Sequence, residues 1–205
     1  VLLHRPGAEL AASGEPAAVQ MLAPLDLALA QAQHDAIAEA YRAQGVAVHY
    51  VEPAETPPPN QMFAADLVFM TPEGAILARP ASTVRAGEER WLARRLADLG
   101  VPILRTLTGT ATFEGADAAW LDPRTVLIGL GLRTNAVAAA QIEMTLAEIG
   151  VDLVPIDLPF GTMHLMGLLR IVDRDLAIAW PRRTPFAAVA ALRDRGVEVA
   201  FLPHE

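Results

Sequence analysis

Two carboxylates three residues apart, Glu114 and Asp117, enclose a Gly-Ala pair in the stretch Thr112-Phe113-Glu114-Gly115-Ala116-Asp117. A glycine beside an acid lets the backbone turn tightly and lets another group approach closely. A lone Glu-Gly would read as an ordinary polar turn. Two further features change that reading: Arg133-Thr134-Asn135 lies downstream behind a glycine, and an isolated His164 lies about fifty residues beyond the acidic turn, at a comparable repeat position. Carboxylates, arginines and one imidazole suit chemistry on a planar cation.

Positioning those groups takes a regular scaffold, and the chain reads as one. Residues 1–3 form a short strand, a helix over 26–44 stops at Gly45, and 46–51 alternates as a strand. The Pro57-Pro58-Pro59 stretch that follows is a stiff extended connection that no helix can cross. Strands at 66–70 and 75–79 then flank a turn, followed by a helix over 86–99 and a strand over 101–107. The order recurs as 118–121, 125–129, a helix over 135–149 and 151–156, and again as 168–172, 176–180, a helix over 185–195 and 197–202. The hairpin turns at Pro72, Pro123 and Arg174 recur at a period of about fifty residues, the signature of a repeat architecture. Each unit reads strand, strand, helix, strand, with the first clipped at its front. This pattern predicts an α/β propeller-like repeat fold, one domain over 1–205, with four units present or partly present. An incomplete ring exposes strand edges through which copies could pair as a homo-oligomer.

Composition narrows the function. The 205 residues are 53% hydrophobic and 20% charged, as expected of a globular protein. With 24 acidic against 16 basic residues the formal net charge is −8, and no basic patch points to nucleic acid. Apolar runs are broken by Arg, Asp, Pro or Gly before reaching membrane-span length. No signal peptide is visible, which makes the cytoplasm the default, although Val1 is not an initiator methionine. There is no cysteine, so residues 1–205 offer no disulfide, thiolate metal site or thiol nucleophile. His4, His34, His49, His164 and His204 are scattered, without the spacing of a zinc site. Gly129-Leu130-Gly131-Leu132-Arg133-Thr134 lacks the third glycine of a dinucleotide-binding loop and sits outside a βαβ order. An arginine near a helix start, as at Arg85 and Arg133, opposes the helix dipole, which favours an anion-binding role over decoration.

Five segments in order carry a family resemblance: Asn60-Gln61-Met62-Phe63-Ala64-Ala65-Asp66, Arg79-Pro80 with Arg85 and Glu88, Phe113-Glu114-Gly115-Ala116-Asp117, Arg133-Thr134-Asn135, and His164-Leu165. Together they resemble the guanidino-group-modifying enzymes of the pentein fold: arginine deiminase, dimethylarginine dimethylaminohydrolase and the amidinotransferases. The resemblance implies a fivefold pseudosymmetric propeller of ββαβ units, about four of them in this chain, with a central site for a small arginine-like molecule. It implies that Asp66 grips the substrate guanidinium, since two parallel N–H···O bonds match a carboxylate. Glu114 would hold the far side of that group or orient His164, and Arg85 and Arg133 would bind the α-carboxylate. Asn60 and Asp117 join the substrate-binding set. His164 would protonate the departing amine and then activate water. The family's nucleophile is a cysteine thiolate, and no metal or organic cofactor is needed.

The sequence departs from that pattern in three places. Ala65 stands where a charged residue often precedes the aspartate, and His164-Leu165-Met166 replaces His-Leu-Asp, removing one guanidinium-binding carboxylate and arguing against a simple arginine deiminase. The cysteine and the fifth unit are absent, so the chain reads as a truncated piece that would be inactive as it stands. The expected function is hydrolysis of guanidino or ureido groups, with amidino transfer or non-catalytic binding of guanidino compounds as the alternatives.

Overall fold

The most apolar strands fall at the centre of each unit. The computed structural model describes residues 1–10 and 14–203. Its clearest central strand is β7 (Thr125–Leu130), five of whose six residues are buried. Successive side chains leave a strand on opposite faces. Val126 and Ile128 therefore enter one core cluster with Phe69, Ile76, Phe113, Ile142 and Leu146, while Leu127 enters another with Leu121, Ile156, Leu165 and Leu192. One strand thus joins neighbouring units through its two faces.

Three units share one topology. In each, the first strand pairs antiparallel with the second, and the second pairs parallel with the third across a helix. They are β3 (Val68–Thr71), β4 (Gly74–Leu77), α2 (Glu89–Asp98) and β5 (Ile103–Thr106); β6 (Ala118–Asp122), β7, α3 (Ala136–Glu148) and β8 (Asp152–Asp157); and β9 (Leu169–Asp173), β10 (Leu176–Ala179), α4 (Phe186–Arg193) and β11 (Glu198–Phe201). Ahead of them, β1 (Leu2–Leu3) pairs parallel with β2 (His49–Tyr50) around α1 (Leu27–Ala43). The clipped first unit and the strand-strand-helix-strand repeat are as the sequence predicts.

Units are tied by specific contacts. The Trp120 ring stacks on Phe69 at 5.6 Å between centroids, and its Nε1 donates to the Met70 carbonyl at 2.9 Å. Arg79 and Phe113 exchange both backbone hydrogen bonds at 3.0 Å, binding the exit of one unit to the entry of the next.

Two elements differ from expectation. The helix expected from residue 86 begins at Glu89, because Thr83–Arg85 closes a 3-10 turn and Gly87 has a φ of 88°, which an α-helix cannot contain. The strand expected over 46–51 shrinks to His49–Tyr50, since β1 offers only two residues to pair with. Among the described residues no helix is long and apolar enough to cross a membrane.

Candidate active site

Each of the three complete units enters its first strand through a 3-10 turn. The residues preceding those turns are Phe63 before Ala64–Asp66, Glu114 before Gly115–Asp117 and His164 before Leu165–Gly167. One repeat position thus supplies an aromatic ring, a carboxylate and an imidazole. They lie along one chain of contacts: the Arg85 guanidinium sits 5.8 Å from the Phe63 ring centre, Arg85 Nη1 lies 3.5 Å from Glu114 Oε2, and His164 Nε2 meets that same oxygen at 2.7 Å.

Local structure fixes these groups. Phe113 is held by its bridge to Arg79, and the Glu114 N–H donates to Thr134 Oγ1 at 3.3 Å. A Cβ on Gly115 would lie 2.4 Å from the Val68 carbonyl oxygen and 2.5 Å from that of Ala65, so only glycine fits between them. Asp117 Oδ2 accepts from the Thr134 hydroxyl at 2.6 Å, and Oδ1 accepts from the Leu165 N–H at 3.0 Å. That carboxylate therefore holds the His164 loop and the Arg133 loop together. Asn135 caps α3 through the Ala138 N–H at 2.9 Å and anchors the Thr110 carbonyl at 2.8 Å.

The electrostatics follow from burial and pairing. Burial disfavours the Glu114 carboxylate, but the His164 hydrogen bond and the Arg133 and Arg85 guanidiniums outweigh it, and its pKa falls below the ordinary value. Burial likewise disfavours the His164 imidazolium, but the Glu114 bond and the Asp66 and Asp117 carboxylates win, and its pKa rises. Burial dominates at Asp117, pushing it up to about 6 against its two hydrogen bonds. It also dominates at Glu88, which is pushed up to about 7 despite the adjacent Arg85.

Of the residues expected at the site, five converge: Asp66, Arg85, Glu114, Arg133 and His164. The side chains of Asp66, Arg133 and His164 keep 13%, 15% and 12% of their surface exposed, so an incoming molecule can reach them, whereas Glu114 is fully covered. Arg85 is turned away from the anion-gripping role expected of it. Its Nη1 bonds Asp66 Oδ2 at 2.7 Å and its Nε bonds Glu88 Oε2 at 2.8 Å, in a buried position among acids. Asp117 is fully buried with both oxygens engaged, so it ties segments together and does not face a ligand. The Asn60 amide donates to the Val19 carbonyl at 2.9 Å, and Arg133 Nη2 meets Gln20 Oε1 at 3.5 Å, which brings the turn over Pro16–Val19 against the cluster.

Thr134 and Glu88 belong to the segments that carry the family resemblance, but the sequence assigns neither a role at the site. Beside its place in that segment, Glu88 lies three residues after Arg85, a spacing at which opposite charges can meet. Thr134 carried no signal beyond its place between Arg133 and Asn135.

Asp66, Glu114 and His164 each offer one ligand atom within 4.8 Å of the others, a spacing that a small metal ion could use. Arg85 and Arg133 already bring positive charge to the same two carboxylates. The donor set therefore suits a cation that hydrogen-bonds better than one that coordinates. Of the scattered histidines, His4 pairs with Glu9 at 3.2 Å, and His204 lies outside the described residues.

A family model described as eukaryotic N,N dimethylarginine dimethylhydrolase matches residues 24–181. A Bos taurus protein designated DDAH2 is 33% identical over 185 residues, 90% of this chain and 63% of its own length. The N(G),N(G)-dimethylarginine dimethylaminohydrolase of Mycobacterium tuberculosis is 31% identical over 162 residues, 79% of this chain and 51% of that protein. The chain thus spans between about half and two thirds of these relatives. A Pseudomonas aeruginosa DDAH, solved as a cysteine-to-serine mutant complexed with citrulline, superposes with a TM-score of 0.82 at 23% identity, covering 98% of this chain and 75% of that one. The fold is therefore of the pentein type.

Proposed function

Because the chain belongs to the N,N dimethylarginine dimethylhydrolase family, we propose that the protein hydrolyses the guanidino group of arginine-like substrates of the dimethylarginine type. The observation that carries this reading is the 2.7 Å bond between His164 and the buried Glu114, with Asp66 alongside. Asp66 grips the substrate guanidinium through paired N–H···O bonds. Arg133, the more open of the two arginines, takes the α-carboxylate, while Arg85 holds Asp66 in place. The Glu114 hydrogen bond favours the protonated form of His164, which suits it to act as a general acid.

The chemistry also needs a nucleophile. A thiolate attacks the guanidinium carbon, forming a C–S bond. The C–N bond to the substituted nitrogen breaks, and the amine leaves with the His164 proton. Water then adds to the carbon and returns a proton to His164 as the C–S bond breaks, leaving a ureido product. Residues 1–205 contain no cysteine. On this reading the thiolate is supplied from outside residues 1–205.

The test is a product assay on the full-length protein with arginine, its methylated forms and citrulline. Release of citrulline with methylamine or dimethylamine, abolished in His164→Ala, is expected. Absence of C–N cleavage with every substrate would overturn the proposal.

A further inference from the structure

Glu88 has no part in the chemistry above, yet it is fully buried at the entrance to α2. A carboxyl group taken out of water needs partners, and Glu88 has half of what it needs. Its Oε2 accepts from Arg85 Nε at 2.8 Å, while its Oε1 is buried with no hydrogen-bond partner among the described residues. The other end of the same guanidinium serves Asp66 at 2.7 Å and lies 3.5 Å from Glu114. One arginine is therefore shared by three acids, and two of those acids belong to the reactive cluster.

We propose that Glu88 is a positioning residue: by holding Arg85 through Nε it decides how much of that guanidinium's charge is presented to Asp66 and Glu114, and so how firmly those carboxylates hold a proton on His164. This rests on the reading of the Asp66–Glu114–His164 cluster as the substrate site. When Glu88 is ionised it draws on Arg85 and leaves Asp66 and Glu114 more negative, which favours the imidazolium. When Glu88 is neutral, Arg85 neutralises the two acids more fully and the imidazolium is less favoured. The charged groups facing Glu88 are Arg85 from the preceding turn, Asp66 from the turn ahead of β3 and Glu114 from the turn ahead of β6. Burial holds the Glu88 carboxyl at about 7, so both charge states are accessible near neutrality.

The experiment follows the His164 ring resonances against pH by NMR in the full-length protein and in Glu88→Gln. Glutamine keeps an oxygen acceptor for Arg85 Nε and removes the charge. The His164 midpoint is expected to move to lower pH in the folded variant, and an unmoved midpoint overturns the proposal. Should Glu88→Gln fail to fold, the wild-type protein decides. The Glu88 carboxyl carbon is expected to titrate near neutrality and to imprint a second inflection on His164; a Glu88 titrating in the ordinary carboxylate range, or a single His164 inflection, overturns it. The product assay stands apart. A protein without C–N cleavage sinks the functional reading, while the coupling of Glu88 to His164 is decided by the titration alone.

Discussion

Asp117→Asn isolates the charge of the one buried carboxylate that joins the His164 and Arg133 loops. The wild-type carboxyl titrates at about 6 in the folded protein, because burial penalises the anion more than the Thr134 and Leu165 bonds favour it, against an ordinary value of 3.8 when unfolded. A raised folded value means that the native state binds this proton more tightly. Its stabilising contribution is complete below pH 3.8 and is lost as the pH rises through about 6. A gap of about two units corresponds to roughly 3 kcal/mol, on the order of 2 kcal/mol once relaxation around the anion is allowed for. Asparagine cannot titrate, yet its Oδ1 can still accept from Leu165 and its amide can donate to Thr134 Oγ1, so its pH-independent cost is about 1 kcal/mol. Urea unfolding followed by tryptophan fluorescence at about pH 4 and pH 7 measures both quantities. The wild-type advantage over Asp117→Asn should shrink by on the order of 2 kcal/mol across that interval. Parallel stability curves would refute the claim that burial controls this carboxyl.

Gly115→Ala should destabilise the fold by about 1–3 kcal/mol in the same unfolding assay, since its methyl group meets two backbone carbonyls that cannot swing aside; a neutral effect would contradict the packing described at that turn. Arg85→Ala should cost about 3–5 kcal/mol by leaving Glu88, Asp66 and Glu114 without their shared cation, and Arg85→Lys should recover less than half, because one ammonium cannot serve Nε and Nη1 geometry at once. Full rescue by lysine would show that charge alone matters there. Glu114→Gln removes the hydrogen-bonding anion that raises the His164 pKa, so the imidazolium should give up its proton at lower pH than in wild type; an unshifted NMR titration would show that Asp66 and Asp117 suffice.

Much of this arrangement is legible in the sequence because it is repeated. Turns at a fixed period locate the units, and the residues preceding the 3-10 turns carry the reactive types, so Glu114 and His164 stand out by type and register. What could not be read is burial. Asp117 and Asp66 look alike as acids near a glycine or an aromatic ring, yet one is sealed beneath Thr134 and Leu165 while the other keeps an open edge. Arg85 looks like an anion grip, and only packing shows that Asp66 and Glu88 reach it first. Gly87 ends the expected early start of α2 through a positive φ, a feature of backbone geometry that helical periodicity does not report.

The charge distribution explains why so polar a cluster persists in the interior. A buried ion pair is a weak source of stability, because desolvating both ions offsets most of their attraction. Here Arg85 and Arg133 with protonated His164 supply three cations against the carboxylates of Asp66 and Glu114, and Glu88 supplies a third anion only when ionised. On the proposed function, a guanidinium arriving at Asp66 adds one more positive charge to a space that water screens poorly. That addition is least costly if Glu88 ionises or His164 surrenders its proton, and the two groups are linked through one arginine. Apolar residues of equal volume would pack this space at least as stably. On the proposed function, so many buried charges serve to control a proton next to a bound cation.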